Sequence, residues 1–270
     1  MIGRPNRGER PLTWPGAPAE PRLVGKTGFV TGGAGGLGRA IAARLVQGGA
    51  SVALAELPDY LDSARVVAEA LGEAAFVVPV DVREPATIRT AVQLTVDHFG
   101  SLDIAVCNAG LNIRRPALEV SESEWDAVVD VNLRGVFFTA QAAALQMVQQ
   151  GRGGKIVNIA SIMGLVGTPW RGVAYGASKG GVVNMTRALA IEWAEHNIQV
   201  NAIAPTYVRT ALTERLFEDE TFLEAVLART PARKLATPDD IADAVTFLAS
   251  PQADMITGVT LPVDGGWTAW

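Results

Sequence analysis

Residues 27–38 read Thr-Gly-Phe-Val-Thr-Gly-Gly-Ala-Gly-Gly-Leu-Gly, a short apolar run that breaks directly into a glycine-rich turn. Thr27–Thr31 has the β-branched and aromatic content of a strand, and Arg39–Gln47 after the turn has the spacing of an amphipathic helix. Glycines at Gly32, Gly36 and Gly38, with Leu37 between the last two, let the backbone turn tightly and approach a phosphate. The free N–H groups opening the next helix point at the same place. The spacing is Thr-Gly-x-x-x-Gly-x-Gly rather than Gly-x-Gly-x-x-Gly. Such a turn alone is ambiguous, because any tight turn uses glycine; the strand before it and the helix after it favour an anion site.

The alternation continues outward from this unit. Apolar runs at Ser51–Glu56, Phe76–Val80, Asp103–Cys107, Lys155–Ala160, Gln199–Ile203 and Val259–Val263 are near-continuous, as in strands buried on both faces. Helical stretches lie between them. Ser121 and Glu124 form a capping-box pattern ahead of a long amphipathic stretch to about Gln149, and Thr237-Pro238 reads as an N-cap with proline in the first turn. The expected fold is α/β: one Rossmann-like, doubly wound domain with a seven-stranded parallel sheet and helices on both faces.

The chain has 270 residues, with 23 Lys+Arg against 28 Asp+Glu and a formal charge of −5. No excess of cation is available to neutralise a nucleic-acid backbone. One cysteine, Cys107, and two histidines, His98 and His196, exclude a multi-cysteine or histidine-rich metal centre, so no metal is expected. No apolar run reaches the roughly 18 residues that span a bilayer, and the expectation is a soluble, cytoplasmic protein without membrane partners. Residues 1–22 interleave five prolines with four arginines and carry no apolar period. They read as a disordered or extended tail ahead of one domain over residues 23–270, with an arm packed on a neighbouring subunit as the alternative.

Four further features carry chemistry. Glu56 ends the second strand about 20 residues past the glycine turn, where an acid accepts hydrogen bonds from an adenosine ribose and repels a 2′-phosphate. That favours NAD over NADP. Tyr175 and Lys179 are four apart in a helical window and share a face, so an ammonium stands near a phenol and is expected to lower its pKa towards working pH. Ser161 closes the fifth strand at the carboxyl edge of the sheet, where α/β folds place ligands. Asn132 lies within a long helical stretch, where asparagine is a mediocre helix former.

Together the glycine pattern, Asn108-Ala109-Gly110, Asn132, Ser161, Tyr175-x-x-x-Lys179 and the ending Val263-Asp264-Gly265-Gly266 resemble the short-chain dehydrogenase/reductase family. The resemblance runs from about Leu23 to the C-terminus. It implies a catalytic set of Asn132, Ser161, Tyr175 and Lys179, with Tyr175 as general acid/base, Ser161 steadying the substrate oxygen, and Lys179 tuning the tyrosine and holding the cofactor ribose. It gives Asn132 the organisation of a water that links solvent to the lysine. It further assigns Asp81 and Val82 to the adenine edge, Asn108, Ala109 and Gly110 to the adenosine ribose side, and Pro205 through Thr210, including Val208, to the nicotinamide half. Three departures stand out: Cys107 precedes Asn108 where asparagine is usual, Thr206 replaces a glycine, and Ser161 and Tyr175 are one residue further apart than is common. The last suggests a bulge in the Gly167–Gly172 loop.

Arg114 and Arg115 follow Asn108-Ala109-Gly110, and two guanidiniums at a cleft mouth suit a carboxylate. Pairing with Glu119 or Glu122 on the surface is the equal alternative. The stretches Asn108–Arg115, Glu192–Ala194, Asn197–Pro205 and Gly265–Trp267 are similar to a subgroup of gluconate and deoxygluconate dehydrogenases, which implies a sugar-acid substrate. A 3-oxoacyl thioester reductase and a polyol dehydrogenase are the enzymic alternatives, and an NAD-binding scaffold the non-enzymic one. The resemblance also implies a homotetramer with one interface through the helices carrying Asn132 and Lys179, whose apolar residues include Val136, Phe137, Phe138, Val182, Val183 and Met185, and another through the C-terminal segment.

Overall fold

Seven parallel strands form one sheet: Thr27–Thr31 (β1), Ser51–Glu56 (β2), Ala75–Pro79 (β3), Ile104–Cys107 (β4), Gly154–Ile159 (β5), Ile198–Pro205 (β6) and Thr260–Val263 (β7). Their order is β3-β2-β1-β4-β5-β6-β7. The computed structural model describes residues 23–210 and 213–270; the tail expected over 1–22 lies outside the described residues. The seven runs expected from the sequence are all strands, with ends shifted by a few residues.

Strand alternation sorts the core into two layers. Phe29, Ala53, Ala55, Ala105 and Cys107 point to one face, where they meet Pro85–Phe99 (α3), Val136–Gln150 (α5) and Val173–Glu192 (α6). Val30, Val52, Leu54, Ile104 and Val106 point to the other, against Gly36–Gln47 (α1) and Pro238–Ala249 (α8). Every one of these strand residues is at most 1% exposed, which explains the near-continuous apolar runs. Leu61–Leu71 (α2) packs on β3, and Glu220–Arg229 (α7) lies in the segment between β6 and α8. Thr237 caps α8 with a full capping box completed by Asp240.

Chain order reverses between β1 and β4, and the carboxyl ends of these two strands open a crevice. Two local differences from the sequence reading bear on that crevice. Helix α1 begins at Gly36, inside the glycine turn, so the first-turn N–H groups belong to Gly36, Leu37 and Gly38. The long stretch from Ser121 is also not one helix. Ser121 caps Glu122–Val129 (α4) by the expected box with Glu124, then the chain widens into a π-helical turn over Asp130–Gly135 before α5. Val136, Val182 and Val183 are core, and Phe137, Phe138 and Met185 pack against it.

Candidate active site

The crevice at the carboxyl ends of β1 and β4 is a cavity of about 600 Å³. Its floor is the glycine turn. Gly32 has φ +65°, which strains any residue with a Cβ, and a Cβ placed on Gly38 would lie 2.0 Å from the Gly32 carbonyl oxygen, so no side chain fits there. No side chain caps α1 and no acid occupies its first turn, which leaves those N–H groups for an anion. Glu56 sits beside the turn: its Oε2 accepts from the Ala34 N–H at 3.1 Å and its Oε1 from the Leu57 N–H at 3.1 Å. The chemistry of this floor, with free amides for a pyrophosphate and a fixed carboxylate for a ribose diol, fits a dinucleotide.

The turn Asn108-Ala109-Gly110 walls the crevice and is stitched to the floor. Asn108 Nδ2 donates to the carbonyls of Thr31 at 2.9 Å and Gly32 at 3.2 Å. Thr31 Oγ1 accepts from the Asn108 and Ala109 N–H groups at 3.0 and 3.1 Å. Thr31 was absent from the sequence-based site; its position at the last residue of a strand before the glycine turn was the available signal.

Ser161, Tyr175 and Lys179 all line the cavity. Ser161 follows β5, and its Oγ accepts from the Met163 N–H at 3.2 Å. Tyr175 and Lys179 project from one face of α6, with the Lys179 Nζ 5.6 Å from the centroid of the Tyr175 ring. Nζ donates to the Ile159 carbonyl at 2.7 Å. The Tyr175 pKa moves opposite to expectation. Burial of the hydroxyl pushes it up, and the pull of the Ser161 hydroxyl and the Arg114 charge does not reverse this. Lys179, 3% exposed, is pushed down by burial to about 8.

That lysine is a stability statement. Below pH 8 both folded and unfolded chains hold the proton, and the native state carries the cost of a buried ammonium. Between about pH 8 and the ordinary value of 10.5 the native state alone loses it, so stability rises with pH across that window. Lys179→Met gives up the hydrogen bond to the Ile159 carbonyl at every pH, so the titration shows as a slope. Wild type is expected to gain stability between about pH 8 and 10.5, and the variant, with no group titrating there, to lack that gain. Urea unfolding of both proteins across pH 7–10.5 checks this, and a gap independent of pH would refute it.

Asn132 does not line the cavity. Fully buried in the π turn, its Oδ1 accepts from the Leu111 N–H at 2.9 Å and its Nδ2 donates to the Leu111 carbonyl at 2.8 Å. Nδ2 also lies 3.3 Å from Ser178 Oγ, which donates to the Tyr175 carbonyl at 2.8 Å. Asn132 thus couples the wall after Gly110 to the helix that carries Tyr175, and Ser178 joins the site as a link the sequence reading lacked.

The remaining candidates divide. Pro205, Val208 and Thr210 line the cavity, and so do Thr206 and Tyr207 between them. Arg114 lines it too, but Arg115 faces away, its Nε 2.8 Å from Glu124 Oε1. Pairing on the surface is therefore what Arg115 does, with Glu124 rather than Glu119 or Glu122 as partner. Asp81 and Val82 lie outside the lining: Asp81 is clamped by Arg83, whose guanidinium holds the carboxyl below its ordinary range, and Val82 packs against Gly135. In the loop before α6, where a bulge was expected, Gly172 takes φ +141°.

Comparison with known proteins finds relatives over nearly the whole chain. A family model described as enoyl-(acyl carrier protein) reductase matches residues 32–268. The 2-dehydro-3-deoxy-D-gluconate 5-dehydrogenase of Escherichia coli is 42% identical over 92% of this chain and 97% of its own length. Gluconate 5-dehydrogenase of Gluconobacter oxydans is 38% identical over 91% and 96%, and the 3-oxoacyl-[acyl-carrier-protein] reductase of Thermotoga maritima 38% over 91% and 98%. Two solved structures superpose closely. One, from Agrobacterium tumefaciens, is provisionally described as a 2-deoxy-D-gluconate 3-dehydrogenase with bound NADP; it has a TM-score of 0.82 and 40% identity, covering 92% of this chain and 98% of that one. The other is the 3-ketoacyl-(acyl-carrier-protein) reductase of Brucella melitensis complexed with NADH, with a TM-score of 0.84 and 37% identity over 91% and 99%. The chain belongs to the short-chain dehydrogenase/reductase family, oxidoreductases that act on CH–OH groups with a nicotinamide cofactor.

Proposed function

We propose that the protein interconverts a secondary alcohol and a ketone on a sugar acid of the gluconate or deoxygluconate type, using NAD(H). The observation carrying the substrate class is Arg114: it lines the cavity that holds Ser161 and Tyr175, and none of the ion pairs among the described residues involves it. A guanidinium without an acidic partner beside the reacting groups suits a substrate carboxylate. The names of the Escherichia coli and Gluconobacter relatives support the same class. Glu56 supports NAD(H).

Gly32, Gly36, Leu37 and Gly38 would hold the pyrophosphate, Glu56 and the Asn108–Gly110 turn the adenosine ribose, and Pro205, Val208 and Thr210 the nicotinamide half. A nicotinamide held there would supply the hydride acceptor or donor. In alcohol oxidation Tyr175 takes the hydroxyl proton on its Oη while Ser161 Oγ hydrogen-bonds the substrate oxygen; in reduction Tyr175 returns that proton. The buried Lys179 would hold the cofactor ribose, and its ammonium, when charged, favours the phenolate. Asn132 acts as a positioning residue through Leu111 and Ser178. Asp81 and Val82 remain the adenine-edge candidates from the family resemblance alone.

Arg114→Ala is expected to raise KM for D-gluconate or 2-deoxy-D-gluconate ten- to a hundredfold with kcat little changed, as loss of one charge-assisted contact implies. Arg115→Ala should leave both constants within twofold. Initial-rate kinetics with NAD+ check this, and equal effects at the two positions would sink the Arg114 assignment. The Thermotoga relative favours a second reading, 3-oxoacyl thioester reduction, which acetoacetyl thioesters test directly.

We also propose a homotetramer and a cytoplasmic setting. Apolar side chains left exposed on α4 and α5, Trp125, Leu145 and Val148, support a subunit contact there. Sedimentation at four times the chain mass would bear it out. Among the described residues no helix is long and apolar enough to cross a membrane.

A further inference from the structure

Two side chains lining the cavity, Thr206 and Tyr207, carry buried hydroxyls without a hydrogen-bond partner among the described residues, and the second is the one fixed by an aromatic cage. Tyr207 lies just past β6, is 7% exposed and lines the same cavity as Ser161, Tyr175 and Arg114. Three aromatic rings from separate segments hold it. Trp170 stands 5.6 Å away at 87°, Phe222 5.5 Å away at 84°, and Trp267 5.8 Å away at 54°. Edge-to-face packing of this kind fixes the ring without using its hydroxyl. The Oη is buried and has no hydrogen-bond partner among the described residues.

A buried hydroxyl without a partner lowers stability, and phenylalanine would fill the same aromatic cage at no such cost. The oxygen therefore calls for a partner that arrives with the ligand. Its surroundings indicate which kind. The Arg114 guanidinium stacks over Phe222, 5.8 Å from the ring centroid, and so over one of the rings that cage Tyr207. Its charge acts on the Tyr207 and Tyr175 hydroxyls alike, which puts all three groups around one space. Burial pushes the Tyr207 phenol up to about 12, so it stays a neutral donor at any working pH. Arg229, over the Trp267 ring at 5.5 Å, adds positive field. A neutral O–H donor beside a guanidinium with no acidic partner complements an anion with two acceptor oxygens.

We propose that Tyr207 is a specificity-determining residue, its hydroxyl donating to one oxygen of the substrate carboxylate while Arg114 engages the group's charge. The proposal rests on the sugar-acid reading above and deepens it. It places the carboxylate against the aromatic cage, away from the glycine turn, and makes Tyr207 the part of the cavity that separates acids from neutral analogues of the same length.

Tyr207→Phe removes one oxygen and keeps the ring. The variant is expected to show KM for D-gluconate or 2-deoxy-D-gluconate raised about tenfold, kcat within twofold, and NAD+ affinity unchanged. Its melting temperature should equal or exceed that of wild type, because no hydrogen bond within the chain is lost. In the Arg114→Ala background the same change should have less effect on KM, since both groups serve one carboxylate. Wild-type turnover of these acids with an unaltered KM in Tyr207→Phe would overturn the proposal alone. A melting temperature lowered by several degrees would overturn it too, by revealing a structural partner for the hydroxyl. Wild type that ignores both acids but turns over a thioester or a neutral polyol would overturn the sugar-acid reading and this proposal together.

Discussion

Tyr175→Phe is expected to lower kcat about 10³-fold while NAD+ binding stays within a few fold. Positioned general acid/base catalysis contributes roughly 10²- to 10⁴-fold, and Tyr175 is the tyrosine whose hydroxyl interacts with Ser161, whereas burial keeps the Tyr207 hydroxyl protonated. Lys179 is committed to the Ile159 carbonyl, Ser161 is a weak base, and Glu56 is tied to the Ala34 and Leu57 amides. The phenylalanine variant keeps the ring that faces Lys179, so the helix and the cofactor cradle are preserved. The raised Tyr175 pKa also sets the pH dependence. Alcohol oxidation needs the deprotonated phenol and should accelerate as pH rises towards its pKa; ketone reduction needs the protonated form and should slow. Pre-steady-state measurement of reduced nicotinamide, with dinucleotide affinity determined separately, tests the assignment. A variant that retains a tenth of wild-type turnover would remove Tyr175 from the proton-transfer step.

The sheet was readable in the sequence because its strands are buried on both faces, so Val52 to Ala55 or Ile104 to Cys107 show as unbroken apolar runs. The glycine turn was readable because Gly38 meets the Gly32 carbonyl so closely that the backbone dictates the residue. What was hidden depends on contacts between distant segments. The π turn at Asp130–Gly135 follows a helical period that continues through it, and its Asn132 is satisfied by the backbone of Leu111, 21 residues earlier. Tyr207 is one more aromatic residue until Trp170, Phe222 and Trp267 are seen around it. Arg115 was separated from Arg114 only by Glu124, which uses one carboxylate oxygen in the helix cap and the other on the guanidinium. The direction of the Tyr175 shift was misjudged for a related reason: the spacing of Tyr175 and Lys179 shows their proximity, whereas burial, which dominates, belongs to the whole fold.

Glu56→Arg is expected to raise the ratio of kcat/KM with NADP+ to that with NAD+ by about 10³. Glu56 is held at the tip of β2 by two backbone amides, beside the glycine turn, so its charge cannot swing away without giving up both hydrogen bonds. A 2′-phosphate brought to that place meets a fixed carboxylate. At about 5 Å and an effective dielectric near 20 the repulsion is about 3 kcal/mol per unit charge, which partial exposure and salt reduce to about 2. Replacing it with a guanidinium removes that penalty and adds a charge-assisted contact of about 2 kcal/mol. The carboxylate is at the same time the acceptor for the ribose hydroxyls of NAD+, so use of NAD+ should fall as use of NADP+ rises. Glu56→Ala separates these terms: it removes the repulsion without adding a cation, and the ratio should rise only about thirtyfold. A wild-type enzyme already indifferent between the two cofactors, with neither variant moving the ratio, would mean that the adenosine end lies clear of Glu56. The carboxylate would then serve the turn alone, as an acceptor for Ala34 and Leu57.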